Sequence, residues 1–408
     1  MSRRALLAEA SGRFARDVLA PFAVLRAGLL GAAWYASQFA PSWTYFQPVA
    51  AARGWTYVPT AALDLWGKYD TSWYLAIALG GYAPGAAGAQ SSLAFFPLYP
   101  LLVRSGHALL PAAWRGQVGA YLVALAVANT AALAGLALVR AWALAVTGDA
   151  AVARRLVVLT LLFPGAFFLS CAYSESLFLV LTAGAFVALA RGRPGLAGAC
   201  GLLAALTRPT GVLIAVPILL ASRLRLATPT STPTPTPTPT PTSTSTATST
   251  ASPTATSTLP WWWPALLPPL GLVLHAANLW RVSGEPLAFL HAQAAWGRGL
   301  AAPWAFLLDR PGLHPWMAPL DRGAILLVLA LGLALWRTQR AAAAYVLLSL
   351  APLVLSGTPM SAVRLVAPLF PALLPLALRE RAFVPAACGF AALQALLFAA
   401  WSRFHWVA

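Results

Sequence analysis

Apolar residues run along this chain in long blocks, interrupted by short clusters of Arg, Pro, Gly and hydroxyl residues. Blocks long enough, or nearly long enough, to cross a bilayer fall at 20–40, 117–139, 156–172, 176–190, 194–206, 210–222, 261–280, 323–336, 341–356, 365–378 and 382–402. A spanning helix needs about 20 apolar residues, because each residue rises about 1.5 Å through a hydrocarbon core of about 30 Å. The pattern predicts an all-α polytopic membrane protein with about eleven transmembrane helices, the shorter blocks leaving their ends open. The first block follows a basic start and has no convincing small-residue cleavage site, so it reads as a first spanning helix and not as a removable leader.

Three polar stretches divide these blocks. Residues 227–259 repeat Pro and Thr with no charge and almost no apolar side chain. Such a stretch cannot bury enough surface to offset its chain entropy, which predicts a polyproline-like or disordered linker. It separates an N-terminal membrane part, 1–226, from a C-terminal one, 260–408. The other two stretches are loops at 41–116 and 281–321. In the first, Pro97 and Pro100 of "AFFPLYPLLVR" lack backbone donors, so this piece is expected along the interface or partway into the membrane. "WWWP" at 261–264 reads as an interfacial aromatic anchor.

Composition strengthens the membrane reading. Of 408 residues 60% are hydrophobic and 9% charged, with mean hydropathy +0.72, against about 25% charge in a soluble domain. The net charge of +17 does not point to nucleic acid, because the Arg residues are scattered at block ends and form no basic face. They set orientation instead. With the N-terminus cytoplasmic, Arg13, Arg16, Arg140, Arg154, Arg155, Arg191, Arg193, Arg337, Arg340, Arg379 and Arg381 all lie in inner loops. The loops 41–116 and 281–321 then face the non-cytoplasmic side of the cell membrane. Cys171, Cys200 and Cys388 are far apart in apolar runs, and the five His form no ligand spacing, so no metal or redox site is expected.

Six of the ten acidic residues fall on that outer side: Asp64, Asp70, Glu175, Glu285, Asp309 and Asp321. An ion-coupled transporter would instead carry ionisable groups near mid-membrane. Asp70 lies in "WGKYDTSWYLAIALGGY", and helical spacing would put it on one face with Trp73, Tyr74 and Ile77. Aromatic rings can cover the C–H face of a sugar while a carboxylate takes a proton from a hydroxyl; a helix cap or an ion pair with Lys68 or an Arg is the structural alternative. Tyr173, Ser174 and Glu175 interrupt another apolar run, either as a helix start or as a polar cluster binding substrate. Arg208 and Arg364 are candidates to grip a lipid-linked phosphate bidentately, against simple snorkelling to headgroups. Gln293, Trp296 and Arg298 gather hydrogen-bonding and stacking groups in the second loop. No Walker A sequence or Gly-x-Gly-x-x-Gly turn is present, which favours a lipid-linked donor over a soluble nucleotide sugar.

The motifs "YDTSWYLAIALGGY", "AFFPLYPLLVR", "FPGAFFLSCAYSESLFL", "LTRPTGVL" and "PLAFLHAQAAWGR" come in the order seen in the PIG-V-like family, which includes the second mannosyltransferase of glycosylphosphatidylinositol anchor assembly. The chain resembles that family from about 60 to 380, apart from the Pro/Thr insertion. The resemblance implies a GT-C-type glycosyltransferase, a helical bundle with outer-face loops and interfacial helices. Its implied donor is polyprenyl-phosphate mannose, a substrate with no bound cofactor beside it. Its acceptor would be a glycolipid or glycan, with membrane lipids and a small membrane subunit as further partners. Asp70 stands where the family's expected base lies, although Lys68-Tyr69-Asp70 replaces the usual Arg-Trp-Asp. Glu175, Arg208, Gln293, Trp296 and Arg298 also fall on family motif positions. The rival readings are a flippase or transporter of lipid-linked sugars and a non-catalytic membrane subunit.

Overall fold

A computed structural model describes residues 9, 11–39, 56–85, 89–226, 262–309 and 314–407. The expected linker at 227–259 lies outside the described residues. Among those described the regular structure is helical throughout. The principal helices are α1 (Ser11–Phe39), α2 (Thr71–Gly80), α3 (Leu98–Ala108), α4 (Gln117–Thr147), α5 (Ala150–Leu162) and α6 (Glu175–Ala190). They continue as α7 (Pro194–Ala205), α8 (Ala215–Leu226), α9 (Leu267–Ser283), α10 (Met317–Leu335), α11 (Arg340–Leu355) and α12 (Glu380–Ser402). By length and composition α1, α4, α10 and α12 can cross a membrane. Helices α6, α7 and α11, and the helical stretch Pro209–Ala221, are apolar but shorter.

Two of the eleven predicted spans are not single helices. The block 156–172 ends as a helix at Leu162, because Pro164 disfavours helical backbone at the residue before it. Phe163 takes φ −50° and ψ 137°, and a 3-10 turn over Ala166–Leu169 follows. Carbonyls left over at this break are satisfied from another helix: the Gln394 amide on α12 donates to Leu161 and Phe163 at 3.0 and 2.8 Å. The block 365–378 is likewise broken into Ala362–Val366, a 3-10 turn over Phe370–Leu373 and Leu374–Ala377. Pro368, Pro371 and Pro375 account for the breaks. In contrast Pro97 and Pro100 are accommodated at the start of α3, where a missing N–H costs nothing.

Small residues set the interior. The buried stripe Ala120, Ala124, Ala128, Ala131, Ala132 and Gly135 on α4 lets α6 approach closely, the packing that joins helices where lipid removes the hydrophobic drive. Helix α4 stops at Gly148 in the left-handed region, and Asp149 caps α5 by accepting the N–H groups of Ala151 and Val152 at 2.6 and 3.3 Å. Helix α7 packs between α6 and α9, α10 on α11, and α12 on α1 and α5.

Ion pairs sort the helix ends into two sets. Asp17 meets Arg140 at 2.8 Å and Arg155 meets Glu380 at 3.0 Å; all four belong to the face assigned to the cytoplasm by charge. Asp70, Glu175, Arg208 and Arg364, assigned to the opposite face, gather elsewhere. Asp321, expected in a loop, is instead buried within α10 and accepts the Val363 N–H at 2.9 Å. It thereby holds the short helix that carries Arg364.

Gly165 seats against that same helix. A Cβ there would lie 2.2 Å from the Val363 carbonyl oxygen and 3.2 Å from Arg364 Cα. Backbone cannot swing aside as a flexible side chain can. Gly165→Ala is expected to destabilise the fold by about 1–3 kcal/mol and to lower activity by displacing Arg364. Thermal unfolding in detergent checks the first effect; an unchanged midpoint overturns it.

Candidate functional site

The site grows from the turn that precedes α2. Asp64 ties down the strand-like entry by accepting the N–H groups of Tyr57 and Val58 at 2.7 and 3.2 Å. The Tyr173 hydroxyl then clamps the turn. It donates to the Lys68 carbonyl at 2.9 Å and accepts the Asp70 N–H at 3.1 Å. Between them Tyr69 adopts φ +49°, the left-handed region that a bulky residue rarely takes. Burial pushes the Tyr173 hydroxyl well above the usual phenol range, so it stays a proton donor to that carbonyl.

Asp70 starts α2 by its backbone, its carbonyl accepting from Trp73 and Tyr74 at 3.0 and 3.2 Å. Its side chain makes no cap bond. The carboxylate instead receives Arg364 Nη1 at 2.7 Å. Arg364 Nε also faces Glu175 Oε1 at 3.2 Å, a contact by charge without an aligned hydrogen bond. Glu175 closes on Arg208 by a short ion pair through the same oxygen. Arg208 reaches Ser174 Oγ at 3.4 Å, and Ser174 shares a hydrogen bond of 2.9 Å with the Tyr74 hydroxyl. The chain of contacts is Asp70–Arg364–Glu175–Arg208, two anions alternating with two cations.

This quartet is deep. Glu175 is fully buried, and the side chains of Arg364, Arg208 and Asp70 are 10%, 11% and 14% exposed. Buried charges cost several kcal/mol each unless paired, and alternation supplies the pairing. The aromatic rings of Tyr173 and Phe168 lie 5.2 and 5.7 Å from the Arg364 guanidinium carbon and add cation–π attraction. Ser174 does not act as the helix cap that the sequence allowed, since its side chain makes no cap bond and turns to Tyr74 and Arg208. Glu175 does stand in the first turn of α6, where the helix dipole favours an anion.

Asp70 forms part of the wall of a cavity of about 980 Å³, open to the surface and lined also by Ser72, Trp73, Gln90, Gln117, Trp296 and Trp406. That size suits a ligand of several sugar units or a sugar with part of its carrier. Trp73 stacks on Phe95 at 5.9 Å and Trp296 meets the same ring edge-on at 6.1 Å. Of the residues singled out in the sequence, Asp70, Trp73 and Trp296 line the cavity, and Tyr74, Tyr173, Glu175, Arg208, Gln293, Arg298 and Arg364 stand behind its wall or beside it. Tyr74 is buried, edge-on to Phe95 and Tyr99, so the shared face expected for Asp70 and Tyr74 does not extend into the cavity. Arg298 donates to Gln293 Oε1 at 2.8 Å and to the Met360 carbonyl at 3.2 Å. Burial lowers its guanidinium to about 10, which leaves it charged at neutral pH.

Trp406 is a site residue that sequence reasoning did not single out, and Lys68, offered there as an ion partner for Asp70, turns to an aromatic ring while Asp70 pairs with Arg364. The Lys68 ammonium sits 3.2 Å from the centroid of the Phe404 ring and is almost fully buried. Burial brings it down to about 8, so it remains mostly protonated at neutral pH, and the ring offers it a negative face. The one available signal for Trp406 was the aromatic density of "WSRFHWV" at 401–407, which no spacing rule ties to Asp70.

No curated protein and no solved structure matches the chain. The family model described as Mannosyltransferase (PIG-V) matches residues 59–218, a segment that holds Asp70, Trp73, Tyr173, Glu175 and Arg208 and stops short of Gln293, Trp296, Arg298 and Arg364. The match supports a glycosyltransferase, and the apolar helices support a membrane protein. Over 59–218, which holds Asp70 and four of the five sequence motifs, the chain is similar to the PIG-V mannosyltransferase family.

Proposed function

We propose that this chain is a GT-C-type membrane glycosyltransferase that moves mannose from a polyprenyl-phosphate donor to a glycolipid or glycan acceptor on the non-cytoplasmic face. The observation that carries the reading is Asp70, a carboxylate on the wall of a large cavity with indole rings beside it. About eleven spans, some of them short or broken, would surround it.

In the proposed step the acceptor hydroxyl gives its proton to Asp70 as its oxygen attacks the anomeric carbon. The bond from that carbon to the phosphate oxygen breaks from the opposite side, its electron pair leaving with polyprenyl phosphate, and the anomeric configuration inverts. The leaving group departs already charged and needs no acid, so one carboxylate suffices where glycosidases use two. When Asp70 takes the proton, Arg364 loses one of the two anions it faces, keeps the shared Glu175 at 3.2 Å, and its unbalanced charge offsets that of the departing phosphate. Arg298, held by two neutral acceptors, is the second cation suited to that phosphate, and Arg208 is occupied by Glu175.

The test is transfer by the purified protein in lipid nanodiscs. Radiolabelled polyprenyl-phosphate mannose is expected to yield labelled product with an alkyl mannoside acceptor, and GDP-mannose alone is expected to yield none. A cell lacking the protein should lose a mannose-bearing glycan or glycolipid by mass spectrometry. An unchanged envelope profile together with no transfer overturns the proposal.

A further inference from the structure

The segment that follows α12 folds back onto the Asp70 turn and builds one wall of the cavity. Helix α12 ends without glycine. Phe404 takes φ +64°, and the N–H groups of Phe404 and His405 bond the carbonyls of Trp401 and Ala400, both at 3.0 Å, to close the reversal. A bulky residue in that region carries a steric cost and persists only where its surroundings hold it. Here the Asp70 turn does the holding. The Lys68 ammonium covers the Phe404 ring at 3.2 Å, the Tyr69 hydroxyl donates to the Phe404 carbonyl at 2.9 Å, and the Trp401 indole donates to the Leu65 carbonyl at 2.7 Å.

The reversal delivers Trp406 to the cavity. Its ring meets Tyr69 edge-on at 5.1 Å, and the next residue, Val407, is fully buried and anchors the far side. Trp406 itself stays partly exposed and lines the cavity with Asp70, Trp73 and Trp296. A partly exposed indole beside a carboxylate leaves apolar area in contact with water, which a ligand with both a C–H face and hydroxyls would cover.

We propose that Trp406 is a specificity-determining residue whose indole stacks on the C–H face of a hexopyranose, with Lys68 and the Phe404 reversal as its positioning elements. This rests on the reading of the cavity as a sugar site. The stacked ring presents its hydroxyls toward Asp70, and an alkyl chain alone gains no such alignment.

The reporter is Ala76→Cys in a Cys200→Ala, Cys388→Ser background, since Ala76 is exposed and lines the same cavity. Its reaction with an aqueous maleimide is followed in nanodiscs with octyl α-mannoside as the probe and octanol as the control. Octyl mannoside is expected to protect the cysteine, and Trp406→Ala to raise the half-protecting concentration about 2- to 10-fold through loss of stacking. Trp406→Phe should keep most of the protection, and Trp406→Leu replaces the Ala variant if that one does not fold. Lys68→Met should weaken protection and Lys68→Arg restore it. No protection in the parent, equal protection in Trp406→Ala or Trp406→Leu, or equal protection by octanol overturns the proposal. Transfer from polyprenyl-phosphate mannose is measured in parallel on discs of the unsubstituted chain: protection in the reporter without transfer by the unsubstituted chain leaves the Trp406 assignment standing and sinks the catalytic reading.

Discussion

Asp70→Asn is expected to cut transfer by about 10²–10⁴-fold, the range a positioned general base contributes, while the protein remains folded. The substitution is informative because Asn keeps the shape and can still accept the 2.7 Å hydrogen bond from Arg364. The turn around it is held by the Tyr173 hydroxyl through backbone atoms, which the change does not touch. What disappears is the negative charge and with it the ability to take a proton, while Arg364 keeps Glu175 as its remaining anion at 3.2 Å. Initial rates with labelled polyprenyl-phosphate mannose, alongside a thermal unfolding curve in the same detergent, separate the two effects. Transfer within a few-fold of the parent would remove Asp70 as the base and leave it as a partner of Arg364.

Glu175→Gln should give the largest loss of stability. Glu175 Oε1 lies between Arg208 and Arg364, and its side chain is fully buried. Without the anion two guanidiniums face each other in a low-dielectric interior, with Asp70 left to balance only one of them. Breaking one partner of a buried charge cluster costs about 3–5 kcal/mol, several degrees or more of unfolding midpoint in a chain of this size. Removing the cation as well, in Glu175→Gln with Arg208→Met, should recover part of that loss, because neighbouring changes in one network do not add. A midpoint unchanged in the single variant would mean that the quartet does not hold the fold together at all.

Much of the architecture is readable from local pattern because a long apolar run has few alternatives to a helix. Helices α1, α4, α10 and α12 follow that rule. The runs 156–172 and 365–378 fail it, since hydropathy counts apolar side chains and is blind to where proline stops the backbone ladder; Phe167, Phe168 and Phe370 are buried in tight turns. At the site, scarcity of charge made Asp70, Glu175, Arg208 and Arg364 visible one at a time. Their pairing was not, because Asp70 and Arg364 lie 294 positions apart and no spacing rule reaches that far. Tyr74 illustrates a subtler failure. Asp70 has helical backbone and its carbonyl accepts the Tyr74 N–H, so the spacing holds, but periodicity does not say what each side chain meets: Tyr74 is buried against Phe95 and Tyr99 while Asp70 lines the cavity. Trp406 carries neither charge nor motif and became legible only once the chain reversal at Phe404 was seen.

Tyr69 and Phe404 face one another with the same left-handed backbone and neither is glycine. Each conformation is unfavourable by itself and is tolerated because the other residue's segment braces it. The turn bearing the carboxylate and the tail beyond α12 therefore share a single free energy of opening. Neither segment can open alone, so the direction of the Asp70 carboxylate is fixed by a contact between residues 335 positions apart in the chain.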